Sequence, residues 1–362
     1  MDHIMKKFFR IIFFLLLPVL CAGETRAAEY DPSDIHALYL SIDNIHNSKK
    51  IVELEALVHN TSANGIVIDF KDSNTPNLPY MKKLVERFHK AGAYTIARIV
   101  VFQDSIFAKK YPILAVKKKV TAKDGKISFV FWYSGRAVWK RYWVDPASKL
   151  AQQHNILIAK QAIDCGFDEI QFDYIRFPTD GDMDNIHFPV FNPGRETKKE
   201  VVQHLKAEVM DSFFRTLRSE LKTYAPAVPI GIDLFGEVFV YGRERGIGQN
   251  LADVAKYFDV LSPMAYPSHY KCGEFKVKDP NAHPYLVYSV TLKNGLKFLT
   301  EQKVIIRPWI QAFTLRNIYA CGPSVSYGPE NIKQQIKAGK DLDINGFMLW
   351  NARSHFSPKI FE

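Results

Sequence analysis

The sequence predicts an α/β protein, a closed (β/α)8 barrel of the TIM type with an extended loop and hairpin insertion after its third strand. Three observations predict it. Eight short runs rich in β-branched and aromatic residues recur along the chain, amphipathic helical stretches fill most of the gaps between them, and the irregular segments follow strands. About 335 residues beyond the leader, with 47% hydrophobic composition, can bury one large core, and α/β barrels of this size are routinely single domains.

The chain begins with a leader. Lys6, Lys7 and Arg10 precede a run of about a dozen apolar residues, and small residues follow with a cut near Ala27 or Ala28, so residues 1–27 read as a secretory signal. The run falls short of the ~20 apolar residues of a membrane span, which makes an uncleaved anchor the lesser alternative. Leu20 is too large for the small residue that a lipoprotein signal needs before Cys21. The expected location is therefore periplasmic, extracellular or at the cell surface, with one domain over 30–362 and no span after cleavage. Losing four basic and two acidic residues with the leader takes the net charge from +10 to +8, so the exported chain stays basic. That favours an acidic neighbour but says nothing of fold.

The strands follow in order. ALYLS (37–41) precedes the helical KKIVELEALVHNT, and GIVIDFK (65–71) precedes LPYMKKLVERFHKAG. YTIARIVVF (94–102) leads into the insertion, roughly 103–148, where Asp124-Gly125 parts two alternating runs in VTAKDGKISFVF and signals a hairpin. SKLAQQHNILIAKQAIDCG then leads to EIQFDYIRF (169–177), followed by the irregular PTDGDMDNIHFPVFNPGRET and a long helical stretch. PIGIDLFG (229–236), VLSPMAY (260–266), VIIRPWIQAF (304–313) and GFMLWN (346–351) complete the eight. Both insertions fall on the C-terminal face, where barrel enzymes carry their active sites.

Three cysteines remain beyond the leader. Cys165, at a helix end before a strand, reads as a packed small hydrophobe. Cys272 and Cys321 lie in polar loops and form the candidate disulfide of an exported protein.

Seven strands end in groups that carry chemistry: Asp69, Lys71 and Asp72; Arg98; Asp173 and Arg176; Asp233 and Glu237; Tyr266 and His269; Arg307, Trp309 and Gln311; Trp350 and Asn351. On one strand such a residue is as readily a solvated end or a structural ion pair. Seven converging on one mouth point to a site. All five tryptophans (Trp132, Trp139, Trp143, Trp309 and Trp350) fall in the insertion or on the last two strands, where flat rings can stack on sugar C–H faces. Packing inside the insertion explains Trp132 and Trp139 equally well.

GFDEIQFDYIRFP resembles the fourth-strand signature of chitinase-like glycoside hydrolases, G-F-D-G-I-D-F-D-W-E, with Asp168 and Asp173 on its first and third acids. SPMAYP and GFMLWN resemble their sixth and eighth strands and place Tyr266 and Trp350 on the motif tyrosine and tryptophan. Gln171 replaces the middle acid and Ile175 the catalytic glutamate, so the substrate-assisted mechanism does not carry over. GIVIDFKD, WVDPAS, IQFDYIRFP, LSPMAYPSHY and GFMLWNA, in that order, are similar to the glycosyl-hydrolase family catalogued as domain of unknown function 4015, across nearly the whole exported chain.

The resemblance implies a barrel and glycoside hydrolysis without fixing substrate or mechanism; together with the acids at the strand ends, the leading reading is a glycoside hydrolase acting on an envelope or environmental polysaccharide with two carboxylates. Asp173 is the first choice for the ionised one, held so by Arg176 unless strand alternation turns that side chain away. Asp233 or Glu237 is the choice for the proton donor, with Asp69 behind them. Arg98, Arg307, Tyr266, His269 and Gln311 would orient hydroxyls or an acidic sugar, and Trp143, Trp309 and Trp350 would stack. The alternative is a barrel that binds glycan without cleaving it. No cofactor or metal is expected: His187, His269, His283 and His355 are dispersed rather than spaced as ligands. Nucleic acid is not an expected partner, because the lysine run KKYPILAVKKK reads as solvated surface.

Overall fold

A computed structural model describes residues 30–72, 74–134, 141–179, 181–194, 197–243 and 246–362. The leader, and Trp139 of the insertion, lie outside the described residues. The barrel strands are β1 (His36–Leu40), β2 (Gly65–Lys71), β3 (Tyr94–Val100), β4 (Glu169–Asp173), β5 (Ile230–Phe235), β6 (Val260–Met264), β7 in two pieces (Ile305–Ile306 and Trp309–Gln311) and β8 (Phe347–Trp350). Each pairs in parallel with its neighbour, and β8 pairs back onto β1, which closes the barrel.

Local chemistry sets the element ends. Asn47, Asn77 and Ser148 each accept an early backbone N–H and begin the helices Ser48–Asn60, Leu78–Lys90 and Lys149–Asp164. The fourth strand stops at Asp173 rather than Phe177 because Tyr174 takes a left-handed φ of 50°, which no strand continues. The seventh breaks at Arg307-Pro308, where proline removes a ladder donor. In the insertion, Lys117–Thr121 and Ile127–Phe131 form the antiparallel hairpin around Asp124-Gly125.

Period-two alternation puts Phe172 of β4 against Phe258 and turns Glu169, Gln171 and Asp173 into the barrel. The interior thus carries polar groups at several heights, set among apolar side chains such as Ile96, which alternation places between inward Tyr94 and Arg98. At the N-terminal end Arg307 Nη1 meets Glu169 Oε1 at 2.7 Å, and Tyr94 donates to the same carboxylate. Gln171, at mid-height, donates upward to Asp233, which stands level with Asp173, and Asp173 meets Arg98. Asp168 closes the N-terminal end outside this stack, accepting from Thr95 N at 2.8 Å and contacting His89 at 2.9 Å.

Cys272 and Cys321 are joined, with Cα atoms 5.3 Å apart, so the loops after β6 and β7 are tied together. Cys165 is a buried free thiol. Among the described residues no helix is long and apolar enough to cross a membrane, and no His, Cys, Asp and Glu group could hold a metal ion.

Candidate active site

A cavity of about 670 Å³ opens on the C-terminal face. Its wall includes Arg98, Asp173, Glu237, Tyr266, His269, Trp309 and Trp350, from β3 and the strand ends and loops of β4 to β8. Arg98 organises the floor. Its Nη2 meets Asp173 Oδ2 at 2.5 Å and its Nη1 meets Asp69 Oδ1 at 2.6 Å, while its plane lies 5.0 Å from the Trp350 ring centroid. Burial opposes that charge, but Asp69 and Asp173 more than restore it, so the guanidinium sits well above its ordinary pKa. Asp173 Oδ1 accepts from Tyr174 N at 2.7 Å, a bond that the left-handed turn at Tyr174 permits.

Asp233 has a different environment. Ile232 pairs with Phe172, so Asp233 and Asp173 stand at one height on adjacent strands. Asp233 Oδ1 accepts from Gln171 Nε2 at 2.7 Å and from Trp309 Nε1 at 2.5 Å. Its Oδ2 is buried and has no hydrogen-bond partner among the described residues. Burial, and then the negative charge of Asp173, push its carboxyl well above the usual range despite those donors, which favours the protonated form. Burial and Asp233 also raise the Tyr266 phenol, which stays a donor.

Several expected site residues lie elsewhere. Asp69 is buried behind Arg98, accepting from Tyr39 Oη at 2.6 Å and Ile42 N at 2.9 Å, and does not reach the cavity. Arg176 does not sit beside Asp173: past the turn at Tyr174 its guanidinium packs over Phe235 at 4.3 Å and donates to Phe177 O, and Arg98 takes the place beside the carboxylate. Trp143 is buried edge-on to Trp132 and Tyr174 and packs the insertion onto the barrel. Arg307 is at the opposite end, bound to Glu169 and Pro32 O, because its strand carries it below the break at Pro308. Gln311 is buried and holds loops: its Oε1 accepts from Ser268 N and its Nε2 donates to Phe313 O. Asp233 lies under the wall, whereas half-buried Glu237 lines it from the first turn of the short helix Gly236–Tyr241.

Two residues of the site were not anticipated. Tyr39 stacks on Trp350 at 4.1 Å and holds Asp69; in ALYLS it is the one aromatic side chain, on the only strand assigned no chemistry. Gln171, which replaces an acid of the chitinase-like motif, positions Asp233 instead.

None of the curated proteins compared with the chain matches it. Among solved structures, the PgaB (BpsB) glycoside hydrolase domain from Bordetella bronchiseptica superposes with a TM-score of 0.58 at 13% identity, over 88% of this chain and 94% of that one. A GH18 chitinase from Cycas revoluta in complex with (GlcNAc)3 superposes with a TM-score of 0.54 at 10% identity, over 90% and 98%. At these identities the likeness is one of fold. A family profile described as "Putative glycosyl hydrolase domain", DUF4015, matches residues 73–356, which hold Asp173, Asp233 and most of the cavity wall, and the chain belongs to that family.

Proposed function

We propose that the protein hydrolyses O-glycosyl bonds of an envelope or environmental polysaccharide. The observation that carries this reading is a pair of carboxylates in opposed environments at one level of the barrel: Asp173 ion-paired to Arg98 in the cavity floor, and Asp233 buried beside it with its pKa raised. Both N–H donors to Asp233 fall on Oδ1, which leaves Oδ2, buried just under the wall, as the atom that carries the proton, and delivery to the departing glycosidic oxygen requires substrate to displace that wall. Asp173 faces the positive charge that grows on the anomeric carbon as that bond breaks, and water completes the hydrolysis. Glu237, in the wall, is the other candidate donor. Trp350, half-buried in the wall, supplies an apolar face for the sugar ring, and buried Trp309 supports it edge-on. The paired Cys272 and Cys321 fit an oxidising compartment, in keeping with export.

A second reading, glycan binding without cleavage, is favoured by Ile175, which is buried where chitinase-like enzymes carry their glutamate. Release of reducing ends from a panel of envelope and plant polysaccharides separates the two. Hydrolysis should fall by orders of magnitude in Asp173→Asn and Asp233→Asn and less in Glu237→Gln. Wild-type protein that binds glycans yet releases no reducing ends, or Asp173→Asn with wild-type turnover, would end the hydrolase reading.

A further inference from the structure

We propose that the hairpin inserted after β3 docks the protein onto an anionic lipid surface. Residues 105–131 hold Lys109, Lys110, Lys117, Lys118, Lys119, Lys123 and Lys126 against one acid, Asp124, and so carry more than half of the chain's excess charge of +10. The strand Lys117–Thr121 lies between Ile127–Phe131 and the short strand Ile186–His187, which leaves Ile127–Phe131 as an open edge among the described residues. That edge is apolar and uncovered: Ile127 is 50%, Phe129 51% and Val130 48% exposed, and Ile113, on the turn before the hairpin, is 80% exposed. Lys118 is held by Asp182 at 2.7 Å, whereas Lys119, Lys123 and Lys126 make no ion pair among the described residues.

Two simpler explanations fall short. Lysines that guard a sheet edge sit on the edge strand; here three sit on the inner strand, and the edge reads Ile-Ser-Phe-Val-Phe. A saccharide platform presents flat aromatic rings on one face. In this hairpin, alternation puts Ile127, Phe129 and Phe131 on one face, where the Phe129 ring already packs on His187 and the half-buried Phe131 on Tyr142, and puts exposed Val120 and Val130 on the other. Aliphatic side chains on both faces, among unpaired lysines, fit a surface that wraps around them, in which apolar groups sink to the headgroup–acyl boundary and ammonium groups meet anionic headgroups. The hairpin leaves the barrel at the end where the cavity opens, so a docked protein works on glycan at that surface. Docking itself does not depend on the hydrolase reading.

The test is co-sedimentation of the purified chain with vesicles of mixed phosphatidylglycerol and phosphatidylcholine, and with vesicles of phosphatidylcholine alone. Wild type should partition to the anionic vesicles and be released by salt. The triple variant Lys119→Glu, Lys123→Glu, Lys126→Glu should bind them at least about tenfold more weakly, and Ile127→Ser with Phe129→Ser several-fold more weakly, with unchanged thermal melting to show that the barrel is intact. Equal binding to both vesicles and by all variants would assign the affinity to the leader and overturn the proposal. It is also overturned if the variants bind as wild type does, if they only dissociate a dimer in light scattering, or if the lysine-dependent ligand is RNA or a soluble acidic polysaccharide with no vesicle binding.

Discussion

Arg98 and Asp233 decide how the cavity floor behaves. Arg98 neutralises two carboxylates buried at 5% exposure or less, Asp69 and Asp173. Arg98→Met should therefore cost about 3–5 kcal/mol by stranding both, read as a fall in the denaturant midpoint, and should abolish hydrolysis. Asp173→Asn is milder for the fold because Asp69 still answers Arg98, yet it loses one charge-assisted contact, about 1.5–3 kcal/mol. Its melting temperature should drop measurably, contrary to what a solvent-facing strand end implies, while hydrolysis drops far more. Asp233 gives a pH signature. Its folded pKa is raised, so the folded state keeps a proton that the unfolded chain releases, and stability falls as pH climbs from the ordinary carboxylate range through the folded value. Asp233→Asn should flatten that decline in melting temperature across the acid-to-neutral range; an unchanged slope would show Asp233 ionised throughout. In the wild type the same proton loss should appear as the alkaline limb of the hydrolysis profile.

The loops after β6 and β7 form a wall rather than a fringe. Lys271, Phe313, Leu315, Ile318 and Tyr319 line the cavity between or beside the two joined cysteines. Cys272→Ser with Cys321→Ser should lower stability by ~2–4 kcal/mol, mainly by freeing the unfolded chain, and should raise KM more than it lowers kcat because the floor is untouched. Thiol titration of the unreduced, leader-free chain should count one thiol, Cys165. The start of the helix Gly236–Tyr241 is equally constrained: a Cβ at Gly236 would come within 2.0 Å of Tyr270 Oη and 3.0 Å of Met264 O. Gly236→Ala should push Tyr270 off Thr291, its partner at 2.9 Å, and displace Glu237 in the wall, with loss of both stability and turnover.

Across the whole barrel, the two ends divide the work. Arg307–Glu169 and Asp168–His89 close the N-terminal end, while the Arg98 cluster and the stapled loops build the other. Arg307→Met should destabilise the protein by about 3–5 kcal/mol through the stranded Glu169, yet leave kcat/KM of the folded fraction near wild type. The alternation of β-branched runs and amphipathic helices was enough for the sequence to declare eight strands in order, the hairpin at Asp124-Gly125 and the cysteine pair, since each rests on local periodicity, turn chemistry or residue type. It also placed Asp173, Arg98, Tyr266, Trp309 and Trp350 near one mouth, because strand order and strand direction alone put them there. Tertiary structure decided which groups share a level and which way each side chain points. Strand shear and the break at Pro308 sent Arg307 down, the left-handed turn at Tyr174 sent Arg176 out, and closure of β3 on β4 made Arg98 the partner of Asp173. The raised pKa of Asp233 arises the same way, from burial and from a charge sixty residues distant in sequence. Such a proximity leaves no trace in periodicity, because it exists only once the barrel has closed.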